Sequence, residues 1–132
     1  MIIFVDTSAF YALLDRDDIS HRKAKRIWND LITPETTLIT NNYVLLESFA
    51  VIQNRLGMES VRVFQEDIQP IVEIKWIDES IHRLGVSALL TAAKREISLV
   101  DCVSFETMRT LGIKTVFAFD PHFKEQGFNC IP

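Results

Sequence analysis

The chain is poor in the residues that staple or punctuate unusual folds, with two cysteines, four glycines and four prolines in 132 positions. Cys102 and Cys130 lie far apart in apolar stretches, with no CxxC and no Cys/His cluster. Neither a zinc site nor a disulfide framework is therefore suggested, and a reducing compartment fits best. No apolar run approaches the roughly 20 residues that cross a bilayer. The opening MIIFVDTSAF has no basic residue ahead of its apolar run, and Asp6 interrupts that run, so it does not read as a secretory signal. A soluble cytoplasmic protein with no membrane partner is the expectation. Gly57, Gly112 and Gly127 read as helix stops and Gly85 falls inside a helix, leaving no GxGxxG or Walker sequence to cradle a nucleotide. Positive charge is also in deficit. Lys plus Arg is 14 against 18 for Asp plus Glu, a net charge of −4 and a pI near 5.3, which excludes a polycation that coats nucleic acid by bulk charge.

What is abundant is apolar: 48% of residues are hydrophobic and nine are Phe. At 132 residues the chain fits one domain, 1–132, with a core that needs no metal or disulfide. Ile2–Val5 is apolar on both faces, as a central parallel strand requires, and stops at Asp6-Thr7-Ser8. Thr7 or Ser8 is expected to cap a helix through Leu14. Ser20 opens a second helix, with Ala24, Ile27, Trp28 and Leu31 at helical spacing and Thr33-Pro34 ending it. Thr37–Thr40 reads as a strand, Tyr43–Leu56 as a long helix, Ser60–Ile68 as a shorter one and Ile71–Ile77 as a third strand. Asp78 caps the next helix, whose apolar stripe is Ile81, Leu84, Ala88 and Ala92. Ser98 starts a helix that runs to Leu111, Thr115–Phe119 forms a strand ending at Asp120, Pro121 begins a short helix, and the last residues form an edge strand. Strands alternating with helices predict a three-layer α/β/α fold with a mainly parallel sheet of about five strands.

Ligands of open parallel sheets bind at the carboxyl ends of the strands. Asp6 and Asp120 end two strands, Asp101 sits in SLVDCVS near a helix start, and Glu47 lies in the apolar helix segment YVLLESFAV. Each has a plain structural explanation. Asp6 can cap a helix, Asp120 before Pro121 is a turn signal, Asp101 can complement a helix dipole, and Glu47 can be a solvated helix residue. One shared site explains all four more economically. Acids without a histidine or cysteine among them suit Mg2+ or Mn2+ rather than zinc. A cation so held polarises a phosphoryl oxygen and acidifies a bound water, and phosphodiester hydrolysis is the natural reaction.

VDTS near the start, a Glu in an apolar helix, SLVD, and FAFDPHF near the end, in that order and context, resemble the PIN-domain ribonucleases, above all the VapC-type toxins of toxin–antitoxin pairs. The resemblance spans essentially the whole chain. It implies endonucleolytic RNA cleavage leaving a 5′-phosphate, with Asp6 and Asp101 as main metal ligands, Asp120 as a further or water-mediated ligand, and Glu47 completing the site or orienting the attacking water. Thr7, Ser8 and Ser98 match small polar positions beside such acids, although helix capping explains them equally. It also implies a homodimer and a cognate antitoxin, and Tyr11, Trp28 and Phe64 are candidates for apolar surface between subunits.

RNA needs holding by something other than net charge. Arg16, Arg22, Lys23, Lys25 and Arg26 fall within eleven positions on and before the second helix and are candidate phosphate contacts, with Lys94 and Arg95 as a second group. A solvated helix face is the competing explanation. His21, His82 and His122 are neither clustered nor at ligand spacing and read as surface or packing residues. A signalling receiver domain is the rival function. It needs a phospho-accepting Asp ending a middle strand and a Lys ending a later one, where this chain has Asp120. A PIN-like scaffold without activity is a third possibility. A haloacid-dehalogenase-type phosphatase is disfavoured because Ser8 stands where its second Asp belongs. The four candidate acids equal the whole negative excess, so the charge outside the proposed site balances.

Overall fold

The computed structural model describes residues 1–132. In chain order its elements are β1 (Ile2–Val5), α1 (Thr7–Leu14), α2 (His21–Leu31), β2 (Thr37–Asn41), α3 (Asn42–Leu56), α4 (Met58–Val63), β3 (Glu73–Lys75), α5 (Glu79–Ala92), α6 (Leu99–Leu111), β4 (Thr115–Phe117), α7 (His122–Glu125) and β5 (Asn129–Ile131). The five strands form one parallel sheet in the order β3-β2-β1-β4-β5. Ile3, Phe4 and Val5 are fully buried, as expected of the middle strand of a covered sheet. Successive connections run outward from β1 to β3, then return across the sheet to β4 and β5. Right-handed crossovers therefore set helices on both faces, giving three layers. The direction of winding reverses between β1 and β4, which makes the crevice beyond their carboxyl ends the natural ligand site. A receiver domain has the order 2-1-3-4-5 instead, so the strand order argues against that rival.

Local chemistry moved several boundaries. The expected strand Ile71–Ile77 contracts to Glu73–Lys75, because Pro70 lacks an amide hydrogen and sits in a 3-10 turn over Gln69–Ile71. The expected helix Ser60–Ile68 begins earlier, at Met58, and widens to a π-helical turn over Phe64–Ile68. β4 stops at Phe117 rather than Phe119, since the Phe119 amide leaves the ladder and donates to Ser8 Oγ at 2.9 Å. Helix α1 is capped by Asp6, not by Thr7 or Ser8.

The stripe expected on α5 also needs correction. Ile81 and Gly85 are buried and Ala88 packs on the core, whereas Leu84 is 47% exposed and Ala92 is exposed. Gly85 explains the rotation. A Cβ there would lie 2.5 Å from Val103 Cγ2 and 3.2 Å from Val103 Cα, so its absence lets α5 and α6 approach closely along that face. Gly85→Val should cost about 1–3 kcal/mol, read as a lowered urea midpoint at unchanged m-value, because the added atoms meet a backbone as well as a side chain. A variant as stable as the parent would show that the helices separate freely.

Candidate active site

Four segments meet beyond the carboxyl ends of β1 and β4. They line a cleft of about 480 Å³ with Asp6, Glu47, Asp101 and Asp120 in its wall, together with Thr7 and Ser8. The sequence-derived acids are thus brought together from positions up to 114 residues apart.

Each aspartate is fixed through one oxygen. Asp6 Oδ2 accepts from Ser8 N at 3.1 Å and Ser8 Oγ at 2.7 Å, and that hydroxyl in turn accepts from Phe119 N. Ser8 thereby ties the loop after β4 to the carboxylate after β1. Asp101 and Ser98 form a reciprocal capping box, with Ser98 N donating to Asp101 Oδ2 at 3.0 Å and Asp101 N donating to Ser98 Oγ at 3.1 Å. Asp120 Oδ1 accepts from the His122 amide at 2.8 Å. The second oxygen of each aspartate has no protein partner. Glu47 is half-buried on α3, one turn in from the cap that Asn41 makes by accepting from Val44 N. Behind it, Ser48 donates to Thr7 Oγ1 at 3.1 Å.

Burial dominates the electrostatics. Asp6 is 4% exposed, and burial pushes its pKa up to about 7, with the charges of Asp101 and Asp120 adding to the rise and the Ser8 hydrogen bonds opposing it. Burial likewise raises Glu47 and Asp101; neighbouring acids add to both shifts, while Thr7 and Ser98 respectively pull them down. Carboxylates that resist ionisation beside one another favour a cation among them.

The sequence suggests a surface or packing role for His122, but the structure sets it beside two of the acids. Its ring joins Asp101 and Asp120 in a group whose potential ligand atoms lie within 4.8 Å of one another. Nδ1 is 2.8 Å from Asp120 Oδ1 but off the line a ring N–H would need, so this buried nitrogen has no hydrogen-bond partner. An orphaned imidazole nitrogen beside carboxylate oxygens with unused lone pairs fits a divalent cation. His21 and His82 do behave as packing residues, the first contacting Ala12 O at 2.8 Å and the second meeting the Tyr43 hydroxyl.

The basic candidates lie elsewhere. Arg16 and Lys25 line a neighbouring depression with His21, while Arg22, Lys23 and Arg26 are exposed on α2, and none of the five lines the acidic cleft. Lys94 and Arg95 are exposed in the loop before α6. The cation in the cleft is Arg55, accompanied by Tyr11 and Asp18. The spacing Glu47, Val51, Arg55 would have found it, since residues four apart share a helix face. Of the aromatic candidates, Trp28 and Phe64 are buried in the core and Tyr11 faces the cleft.

Comparison with known proteins agrees with this geometry. The PIN domain matches residues 3–129. The 23S rRNA-specific endonuclease VapC20 of Mycobacterium tuberculosis is 32% identical over 128 residues, covering 96% of this chain and 95% of the relative. The crystal structure of VapC20, described as a Sarcin-Ricin loop cleaving toxin, superposes with a TM-score of 0.85 over 97% of this chain and 96% of its own at 31% identity. FitAcB from Neisseria gonorrhoeae shares the fold, with a TM-score of 0.70 at 19% identity over 100% of this chain and 97% of its own. With the acids, the strand order and the family match in agreement, the chain belongs to the PIN domain family.

Proposed function

We propose that the protein is a metal-dependent endoribonuclease and the toxin of a toxin–antitoxin pair, acting in the cytoplasm. The observation that carries this reading is the convergence of Asp6, Glu47, Asp101 and Asp120 on one cleft, with an unshared oxygen on each aspartate. Asp6, Asp101 and Asp120 would hold Mg2+ or Mn2+, and His122 adds a donor that favours Mn2+, since imidazole suits the transition ions better than it suits magnesium. When bound, such a cation supplies Lewis-acid polarisation of a phosphoryl oxygen and acidifies water.

The chain's own residues do the rest. Ser8 and Ser98 hold Asp6 and Asp101 in register, and the buried floor behind them excludes bulk water. Glu47, whose pKa burial raises from its ordinary value, orients the attacking water and accepts its proton. All four acids are intact, which favours an active enzyme over an inert scaffold. The implied partners are RNA, an antitoxin and a second copy of the chain. The toxin description of VapC20 supports the antitoxin, and exposed Leu46, Trp76 and Leu90 offer apolar surface for protein contacts.

The 23S rRNA specificity named for VapC20 sets the first substrate. Incubation with ribosomal RNA and Mn2+ or Mg2+ is expected to yield discrete fragments with 5′-phosphate ends, to stop with a chelator, and to leave transfer RNA intact. Cleavage of transfer RNA alone would move the substrate class. No cleavage of ribosomal, transfer or messenger RNA with either metal would overturn the enzyme assignment.

A further inference from the structure

We infer that Arg55, seated on the ring of Tyr11, is the residue that anchors a substrate phosphate in the cleft, one or two nucleotides from the bond that is cut. This rests on the nuclease reading above and supplies what that reading lacks. The cleft is lined by five acids (Asp6, Asp18, Glu47, Asp101 and Asp120) and by a single Lys or Arg, Arg55. A phosphodiester strand entering such a wall meets repulsion everywhere except where cations stand. The basic residues of α2 do not line this cleft. Arg55 is eight residues after Glu47 on α3, about 12 Å along the axis at 1.5 Å per residue, so it reaches a different phosphate from the one beside Glu47.

Its setting is that of a cation waiting for an anion. The guanidinium carbon lies 5.5 Å from the Tyr11 ring centroid. The ion pairs made by arginine or lysine are Arg83 with Glu79 and Arg109 with Glu106, so Arg55 has no carboxylate within pairing distance. The Tyr11 hydroxyl donates to Asp15 Oδ2 at 2.7 Å, which fixes the ring beneath it. A guanidinium over an aromatic face and without a carboxylate partner has N–H groups left for an anion even with one directed at the Tyr11 hydroxyl, and their fork suits phosphate oxygens. The plain alternative is that Arg55, in the last turn of α3, only complements the helix dipole. Such a role would appear in stability and not in RNA binding.

The test is anisotropy of a short fluorescein-labelled single-stranded RNA in a Glu47→Gln background, which removes the proton acceptor while keeping its shape, with and without Arg55→Gln. Arg55→Gln is expected to weaken binding about tenfold, the effect of losing a charge-assisted contact. The slope of log Kd against log salt should fall by about 0.7, one phosphate contact on a single strand. Arg55→Lys should keep that slope. In protein with Glu47 intact, Arg55→Gln should raise KM about tenfold and leave kcat within about twofold, as lost uniform binding does. Unchanged Kd, KM and salt slope, with or without a fall in Tm, would overturn the inference while RNA cleavage by the parent stands. If the parent neither binds nor cuts RNA, the nuclease reading itself falls and takes the inference with it.

Discussion

Asp101→Asn should lower the rate of RNA cleavage by about a thousandfold while leaving the fold and its stability nearly intact. As a proposed ligand of the cation, this carboxylate would supply several kcal/mol of transition-state stabilisation, and each ~1.4 kcal/mol is tenfold in rate. The substitution is mild structurally. Asn keeps an oxygen to accept from Ser98 N, so the capping box survives, and the charge that is lost is one that burial and Asp120 already disfavour. Asp78→Asn is the matched control. Asp78 caps α5 by accepting from Ile81 N at 2.9 Å, the same helix-start chemistry, but it lies outside the cleft. It should change stability by no more than a few tenths of a kcal/mol and cleavage not at all. Metal-dependent cleavage by Asp101→Asn at the parent rate would remove this residue from the site.

The contrast between Asp101 and Asp78 shows what could and could not be read from the sequence. From sequence, a role at a helix start and metal binding stand as opposed explanations for Asp6 and Asp101, yet a carboxylate has two oxygens. Asp6 caps α1 with Oδ2 and Asp101 caps α6 with Oδ2, and each leaves its other oxygen to the cleft. Strand ends were legible because an apolar run delivering an acid is costly without a reason. The layered fold followed from strands alternating with helices, and the central place of β1 from a run apolar on both faces. What stayed hidden depends on three-dimensional placement. His122 enters the site because α7 starts two residues after Asp120, and no sequence spacing links it to Asp101. The basic cluster of α2 is conspicuous in sequence but is carried away from the acids by the helix it decorates, whereas Arg55 stands alone in sequence and faces them. The net charge of −4 likewise sharpens: Asp18 adds a fifth acid to the cleft wall, opposed there by one guanidinium.

The second large effect concerns stability without metal, which should fall as pH rises from about 4 to about 7 and recover when a divalent cation is added. Asp6 titrates near its ordinary 3.8 in the unfolded chain and at about 7 in the folded one. Between those values the folded state holds the extra proton, so raising pH favours unfolding, and above pH 7 the full penalty remains. Three units at ~1.4 kcal/mol each set an upper bound of roughly 4 kcal/mol, and a realised loss of about 2–4 kcal/mol is expected. Glu47 and Asp101 shift in the same direction and add to the slope. Asp6→Asn keeps an oxygen for Ser8 N and Ser8 Oγ but carries no charge, so at pH 8 without metal it should be the more stable protein, with a higher urea midpoint, and a shallower pH dependence. Adding Mn2+ should reverse the order. A cation at about 100 times its Kd stabilises the parent by about 2.7 kcal/mol, and Asp6→Asn, short of a ligand, should gain much less. On this account the site is assembled at the expense of the apo fold, and a bound ion would relieve the repulsion among its acids. A parent protein whose urea midpoint is flat from pH 5 to 8, or an Asp6→Asn variant less stable than the parent at pH 8 without metal, would contradict that account.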